Sequence, residues 1–504
     1  MSSEPKSKLK KTKILFKKNF HWFPFLFPLF FIFRSVRRFP GMIEGTTVLH
    51  YCLFFLLGSA LIYILAKIIT RKNFVAASYT FLFEIFFLFW SVYQEQFGIR
   101  PQEIKDHLNL IIILAIAIIF LGTWISNLIK TSWQVLLTKM LNILIFLSLI
   151  VEILFGTYTH ATLPNEKNQF LASTSVSPQT AHLPDVYFLL FDAYASTALI
   201  QEKLGLDNSE IDTFLNHHQF QIQSKSKSNY SVTYYSLAST LNGIYYPQDS
   251  VNHTTIHDLH RCWKRINHAS ILQLFKEKHY AVHNFSMFDV LNQKAPFTIF
   301  QEHLVINSNL ITGNSFWNMV AKKYQFKNGS WQPNERVEAH YEELKNLEKS
   351  LTVSTLQKSD SPNFYYFHFT CPHEPFLVDA KGNLQSDLTV FRQRFEQKPE
   401  HYQNNLNLAN ALLKTCVTAI RKNKPDAIVL ILGDHGPRIN VKNKTEDFNF
   451  KNLNALFFPD QDYSGLSDST TNVNMMRLVA NKALQMNLPL LKDTSIYINL
   501  VAGH

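Results

Sequence analysis

A chain of 504 residues with a formal net charge of +11 is long enough for several domains and basic enough to raise the question of a nucleic-acid partner. The placement of the charge excludes one. Seven Lys and one Glu in the first twenty residues give +6, and Arg34, Arg37 and Arg38 add three more beside sequence dense in Phe, Ile and Leu, whereas a polyanion-binding face would spread over a folded domain.

In chain order, residues 1–19 are predicted to form a basic cytoplasmic tail and 20–158 a transmembrane region of about five helices. A spanning helix needs roughly 20 mostly apolar residues, and segments 46–66, 74–93, 108–125 and 140–158 meet or approach that length. Segment 20–33 fits least well, being short, carrying Pro24 and Pro28 and running into arginines. No small-residue cleavage site follows the first apolar run, so no removable signal peptide is expected. With the tail inside, Lys67, Arg71, Lys72, Lys130 and Lys139 also fall in inside loops. Five crossings of the inner or plasma membrane then place residue 160 onward on its extracytoplasmic face. Arg34, Arg37 and Arg38 lie on the unexpected side in this arrangement. Glu84 and Glu152 interrupt apolar spans, where an ionisable side chain either serves function or pairs within the helix bundle. Residues 159–184, with Pro, Ser, Thr, Asn and Gln and little periodicity, read as a linker.

From 185 to 504 the pattern is that of one soluble domain. Strand-length apolar runs at 185–191, 279–285, 363–369, 427–432 and 454–458 alternate with helix-like stretches at 209–219, 267–278, 335–350 and 402–422. This predicts an α/β fold with a mixed, mostly parallel central sheet covered on both faces. Cys52, Cys262, Cys371 and Cys416 show no close pairing and no metal-ribbon spacing.

In such sheets ligands bind beyond the carboxyl ends of the strands. Asp192 ends the run VYFLLF, His373 comes a short turn after FYYFHFT, and Asp434 and His435 come after AIVLILG, between two glycines. Three runs thus deliver two carboxylates and two imidazoles to one edge. An Asp–His pair on a Gly-flanked turn can hold one cation. Carboxylate with imidazole suits Zn or Mn, and an oxygen-rich set suits Ca or Mg. Taken singly, each residue has a plainer reading: Asp192 as a helix cap, His368 as a hydrogen-bonded strand residue, Arg438 as a solvated cation rather than a phosphate fork. Thr233 and Ser236 both open a helix-like stretch ending at Gly243, where a hydroxyl either caps the helix or acts as a nucleophile once a metal or base takes its proton.

The stretch Thr233, Ser236, Gly243 resembles the signature of the alkaline phosphatase/sulfatase superfamily, in which Ser lies three and Gly ten residues after the nucleophile. Sulfatases carry Cys or Ser at the first position, with Pro two and Arg four residues on. Here Thr233, Tyr235 and Leu237 stand instead, so formylglycine is not implied. A Thr nucleophile is similar to that of phosphoethanolamine transferases and lipoteichoic acid synthases, which share the layout of about five N-terminal spans and an outer catalytic domain. Pro372-His373-Glu374-Pro375 is similar to the PHxP motif whose His contacts the substrate anion, Asp192 to the first metal-binding acid (the adjacent second Asp of sulfatases is Ala193 here), and Asp434-His435-Gly436 to the metal pair. The resemblance implies one divalent metal on Asp192, Thr233, Asp434 and His435, catalysis by Thr233 and His373, and substrate contacts from His368, Arg438 and Ser236. Tyr402, Asn405 and Asn410 resemble a sulfatase helix facing the site. The implied partners are a membrane lipid donor and an envelope glycan or lipid acceptor. A sulfate- or phosphate-ester hydrolase and an inactive membrane scaffold are the alternatives.

Overall fold

The computed structural model describes residues 20–90, 101–161, 183–246, 254–296 and 336–499 except 442–444, together with short stretches between 307 and 333. The expected basic tail and most of the expected linker lie outside the described residues. The chain divides into two compact units, one of residues 1–166 with 306–334, the other of 167–305 with 335–504.

The first unit is helical: α1 (Phe23–Arg38), α2 (Gly45–Thr70), α3 (Asn73–Leu88), α4 (Pro101–Leu128) and α5 (Thr131–Ala161). Among the described residues two helices, α2 and the Thr131–Tyr158 part of α5, are long and apolar enough to cross a membrane by length and composition; α3 and Ala115–Leu128 are shorter apolar helices. The segment that fitted the spanning pattern least well does form a helix. Pro24 sits in its first turn, where the missing N–H leaves no bond unmade. Asn142 of α5 accepts the backbone N–H groups of Trp22 and Phe23 at 2.9 Å each, capping α1 from outside. Arg37 at the other end of α1 pairs with the buried Glu152 of α5, and the Arg34 guanidinium lies 5.9 Å from the Phe89 ring. Glu152 is thus the counter-charge of Arg37, and Arg34 meets an aromatic ring, while both arginines stay exposed at the surface of the unit. The short helix Asn307–Thr312 groups with the first unit, where Ile311 is buried in the cluster formed by Phe23, Phe27, Phe31 and Ile32 and Phe316 packs on Phe86 and Trp90.

The second unit is built on a six-stranded mixed sheet. Its strands are β1 (Val186–Phe191), β2 (Gln221–Ile222), β3 (Ala281–Phe285), β4 (Asn363–Phe369), β5 (Ile428–Gly433) and β6 (Asn454–Phe457), in the order β2-β6-β5-β1-β4-β3. β5, β1, β4 and β3 run parallel; β6 is antiparallel to β5, and β2 is antiparallel to β6. Every residue of β1, β4 and β5 is buried, which is why their sequences are continuous apolar runs rather than alternating ones. Stacked pairs Tyr187–Tyr365, Phe188–Tyr366 and Phe191–Phe369, with ring centroids 4.8, 5.0 and 4.7 Å apart, lock the β1–β4 register on both faces. One face carries α6 (Ser209–His217), α10 (Arg336–Leu356) and α11 (Pro399–Asn423), whose Ile211, Leu215, Leu344, Leu406 and Leu413 join Tyr187, Leu189 and Phe191 in the core.

Near the other face lie α7 (Thr233–Thr240), α8 (Ile256–His268), α9 (Ser270–Glu277) and α12 (Asn472–Leu484). The helix expected over 267–278 starts only at Ser270, because Ala269 adopts a left-handed conformation (φ 43°) that separates it from α8.

The register aligns Phe191 with Phe369 and with Gly433, so β1, β4 and β5 end level with one another. The residues after those three ends therefore share one edge of the sheet.

Candidate active site

Asp192, the first residue after β1, is fixed by its main chain: its N–H donates to the Phe369 carbonyl at 2.9 Å and its carbonyl accepts the His373 N–H at 3.1 Å. The next residue, Ala193, sits at φ 58°, and its N–H donates to Asp434 Oδ1 at 2.9 Å. His435 N–H donates to the same oxygen at 3.0 Å. Two successive residues, Asp192 and Ala193, therefore tie together the ends of all three central strands.

Gly433 and Gly436 bracket the Asp434-His435 turn for a steric reason. A Cβ on Gly433 would overlap the Tyr194 carbonyl oxygen, and one on Gly436 the Phe448 carbonyl oxygen, both main-chain atoms without freedom to retreat. Gly436→Ala is expected to lower stability by about 1–3 kcal/mol, read as a melting temperature several degrees below wild type. An unchanged melt would mean that the turn is softer than its packing implies.

Thr233 is the first residue of α7, and its Oγ1 lies 3.2 Å from His435 Nε2. The positive end of the helix favours an anion there. The His435 Nδ1 sits 2.7 Å from the Gly436 carbonyl, which marks Nδ1 as the protonated nitrogen and leaves Nε2 a lone pair. Around Nε2 stand Asp434 Oδ2 at 3.5 Å and Asp192 Oδ1 at 3.6 Å. Among the described residues neither of these buried carboxylate oxygens has a hydrogen-bond partner.

Burial pushes the His435 imidazole below its ordinary value; Asp434 and Asp192 oppose this, and Arg438 and His373 reinforce it. Burial likewise works against ionisation of Asp192, but His373, His368 and His435 outweigh it and hold the carboxyl below the usual carboxylate range. Two desolvated acids, one lone-pair nitrogen and a hydroxyl converge. Such orphaned oxygens are costly unless a cation meets them, and this set fits a divalent metal.

The second imidazole group lies beside the first. A ring nitrogen of His373 can be grouped with ligand atoms of Asp192 and His435, all within 4.8 Å of one another. His373 Nδ1 lies 2.6 Å from the Glu374 carbonyl, which directs Nδ1 as a donor and leaves Nε2 for chemistry. His368, buried in β4, places Nε2 3.6 Å from Asp192 Oδ2. Arg438 lies just past the metal-type turn.

One turn along α7, Ser236 is fully buried and donates its hydroxyl proton to the Asp434 carbonyl at 2.6 Å, bracing the turn.

Sequence reasoning did not single out His340 of α10, whose Nε2 lies 2.6 Å from Thr370 Oγ1 at the root of the His373 turn. Burial and the nearby His373 charge push it down to about 3, so it is neutral at ordinary pH. Its only sequence signal is a lone His on an apolar helix face. Asn405 of α11 holds the same turn: it accepts the Leu377 N–H and donates to the His373 and Pro375 carbonyls.

The sulfatase family model matches residues 195–492, more than half of the chain, beginning just after Asp192. No curated protein matches the chain in sequence. Solved structures similar to it include one from the glycosaminoglycan-metabolism locus of Bacteroides thetaiotaomicron (14% identity over 59% of this chain and 72% of that one, TM-score 0.38). The C-terminal periplasmic domain of EptC from Escherichia coli is another (11% identity, 61% and 86% covered, TM-score 0.35). The same domain in complex with Zn also matches (10% identity, 60% and 83% covered, TM-score 0.36). With the family model spanning most of the sheet, the Thr233 helix and the Asp434-His435 turn, the chain belongs to the sulfatase family.

Proposed function

We propose that this protein transfers a phospho-group, of the phosphoethanolamine or phosphoglycerol type, from a membrane lipid to a cell-envelope glycan or lipid through a covalent Thr233 intermediate. The observation that carries the reading is the position of the Thr233 hydroxyl, at a helix N-terminus 3.2 Å from His435 Nε2 and beside two buried carboxylate oxygens without a donor among the described residues. Asp192, Asp434, His435 and Thr233 would hold one divalent metal, with Zn or Mn favoured by the carboxylate–imidazole donors. When bound, it makes the Thr233 hydroxyl more acidic and polarises a phosphoryl oxygen.

In the first step the Thr233 Oγ1–P bond forms as the bond from phosphorus to the lipid oxygen breaks. The Thr233 proton is released to solvent, and the departing lipid oxygen gains one from protonated His373. In the second step an acceptor hydroxyl replaces Thr233 on phosphorus and returns a proton to His373, while the released Thr233 oxygen regains its proton from solvent. Arg438 and His368 are proposed to meet the anionic oxygens. We further propose a multi-pass anchor of about five spans in the inner or plasma membrane with the catalytic unit on its outer face. The basic N-terminal segment and the apolar helices after it support this.

A second reading, ester hydrolysis with water as acceptor, is favoured by the sulfatase family match itself. The test is mass spectrometry of the Thr233-containing peptide after full-length protein in vesicles of phosphatidylethanolamine or phosphatidylglycerol is quenched during turnover. A phosphoethanolamine or phosphoglycerol adduct on Thr233 is expected. A bare phosphate or sulfate adduct would favour the hydrolase. An adduct on Ser231, Ser236 or Ser239 would refute Thr233 as the nucleophile.

A further inference from the structure

Tyr402 lies on α11, touches none of the reacting groups, and is fully buried. Its hydroxyl is used twice. It donates to the Ala193 carbonyl at 2.9 Å and accepts the Ala195 N–H at 3.1 Å. The residue so clamped is the one in the left-handed conformation, φ 58°, which an alanine adopts only at an energetic cost. The same residue hands its N–H to Asp434 Oδ1, and the preceding carbonyl takes the His373 N–H. If Ala193 relaxed toward ordinary backbone angles, the N–H holding Asp434 would swing away and the Asp192 side chain would turn with it.

We infer that Tyr402 is a positioning residue for the cation-binding acids: its hydroxyl holds Ala193 in the strained conformation that sets the spacing of Asp192 and Asp434. This rests on the reading of those two acids as metal ligands. Outer-shell partners of ligating groups commonly change metal affinity by roughly 10–100-fold when removed. Here the partner acts through the main chain instead of through a ligand's side chain.

The experiment is Zn(II) titration of the detergent-solubilised full-length protein, with affinity read by competition against a chromophoric chelator. Tyr402→Phe keeps the ring and deletes both hydrogen bonds. It is expected to weaken Zn(II) binding by about 10–100-fold. Leu413→Ala, in the core on the same helix, costs packing without touching the clamp, and should leave the affinity within about threefold of wild type.

The decisive arm is the double variant Ala193→Gly with Tyr402→Phe. Glycine occupies φ 58° without penalty, so the double variant should recover several-fold in affinity over Tyr402→Phe alone; loss of mere packing at Tyr402 would not be mended by a change at residue 193. Equal affinity for wild type and Tyr402→Phe overturns the inference while leaving the metal reading intact, as does absence of recovery in the double variant. If Tyr402→Phe does not fold, the double variant is compared directly with Ala193→Gly; affinities within about threefold support the inference, because glycine holds φ 58° without the clamp, and markedly weaker binding by the double variant overturns it. If wild type binds no Zn(II), the metal reading and this inference both fail.

Discussion

Thr233→Ala is expected to reduce turnover by at least about 10³-fold and to abolish the covalent adduct, with the protein otherwise folded. The reasoning is geometric. Thr233 presents its hydroxyl to His435 at the start of α7, and that contact is where its side chain is engaged. If Thr233 acts as proposed, removing one oxygen takes away the nucleophile and one metal donor together but leaves the helix, the sheet and the Asp434-His435 turn in place. Thr233→Ser keeps the oxygen and gives up a methyl group that fixes its rotamer, so a loss of only ~10-fold is expected. Single-turnover kinetics with lipid vesicles check both. Wild-type rates in the alanine variant would place the covalent step on another residue or remove it altogether.

The second large effect concerns Asp434. Its Oδ1 is occupied by the N–H groups of Ala193 and His435, and its Oδ2 is buried without a hydrogen-bond partner among the described residues. Asp434→Asn can keep the first oxygen where it is and set an NH2 group where the second was. The turn survives, but a donor now points at the place meant for a cation. Zn(II) affinity is expected to fall at least ~100-fold.

The sign of the stability change separates this from a folding defect. In chelator the asparagine variant should melt no lower than wild type, because a buried uncompensated carboxylate has been made neutral. On adding Zn(II), wild type should rise in melting temperature by mass action and the variant should barely move. Parallel melting curves for the two proteins in both conditions would mean that Asp434 does not ligate the ion.

The strands that build the site were readable in advance because β1, β4 and β5 are buried on both faces, and double burial writes itself as an unbroken apolar run. Residues just past such a run must lie at the sheet edge, so Asp192, His373, Asp434 and His435 could be grouped without coordinates. Ser236 could not be placed, because two hydroxyls on the first turns of one helix look alike in sequence; only the fold shows that one meets His435 and the other the Asp434 carbonyl. α8 went unread because its apolar stripe of Leu259, Cys262 and Ile266 is set among charged and His residues, though the Thr255–Asp258 capping box marked its start. The assignment of 306–334 to the helical unit was invisible for another reason. It depends on where Ile311 and Phe316 pack, and isolated apolar residues carry no address.

That Asp434 accepts two amides on one oxygen also limits which ion the site can accommodate. If the proposed ligands hold the ion, Asp434 offers it chiefly Oδ2, and the protein supplies few donors: carboxylate oxygens, the threonine oxygen and a nitrogen. Calcium seeks six to eight oxygens and would have to recruit most of them from water in a pocket whose acids are almost fully desolvated. Were Asp192, Asp434, His435 and Thr233 to hold the ion as proposed, such a site would discriminate by geometry, and calcium is not expected to replace zinc or manganese in chelator-stripped protein.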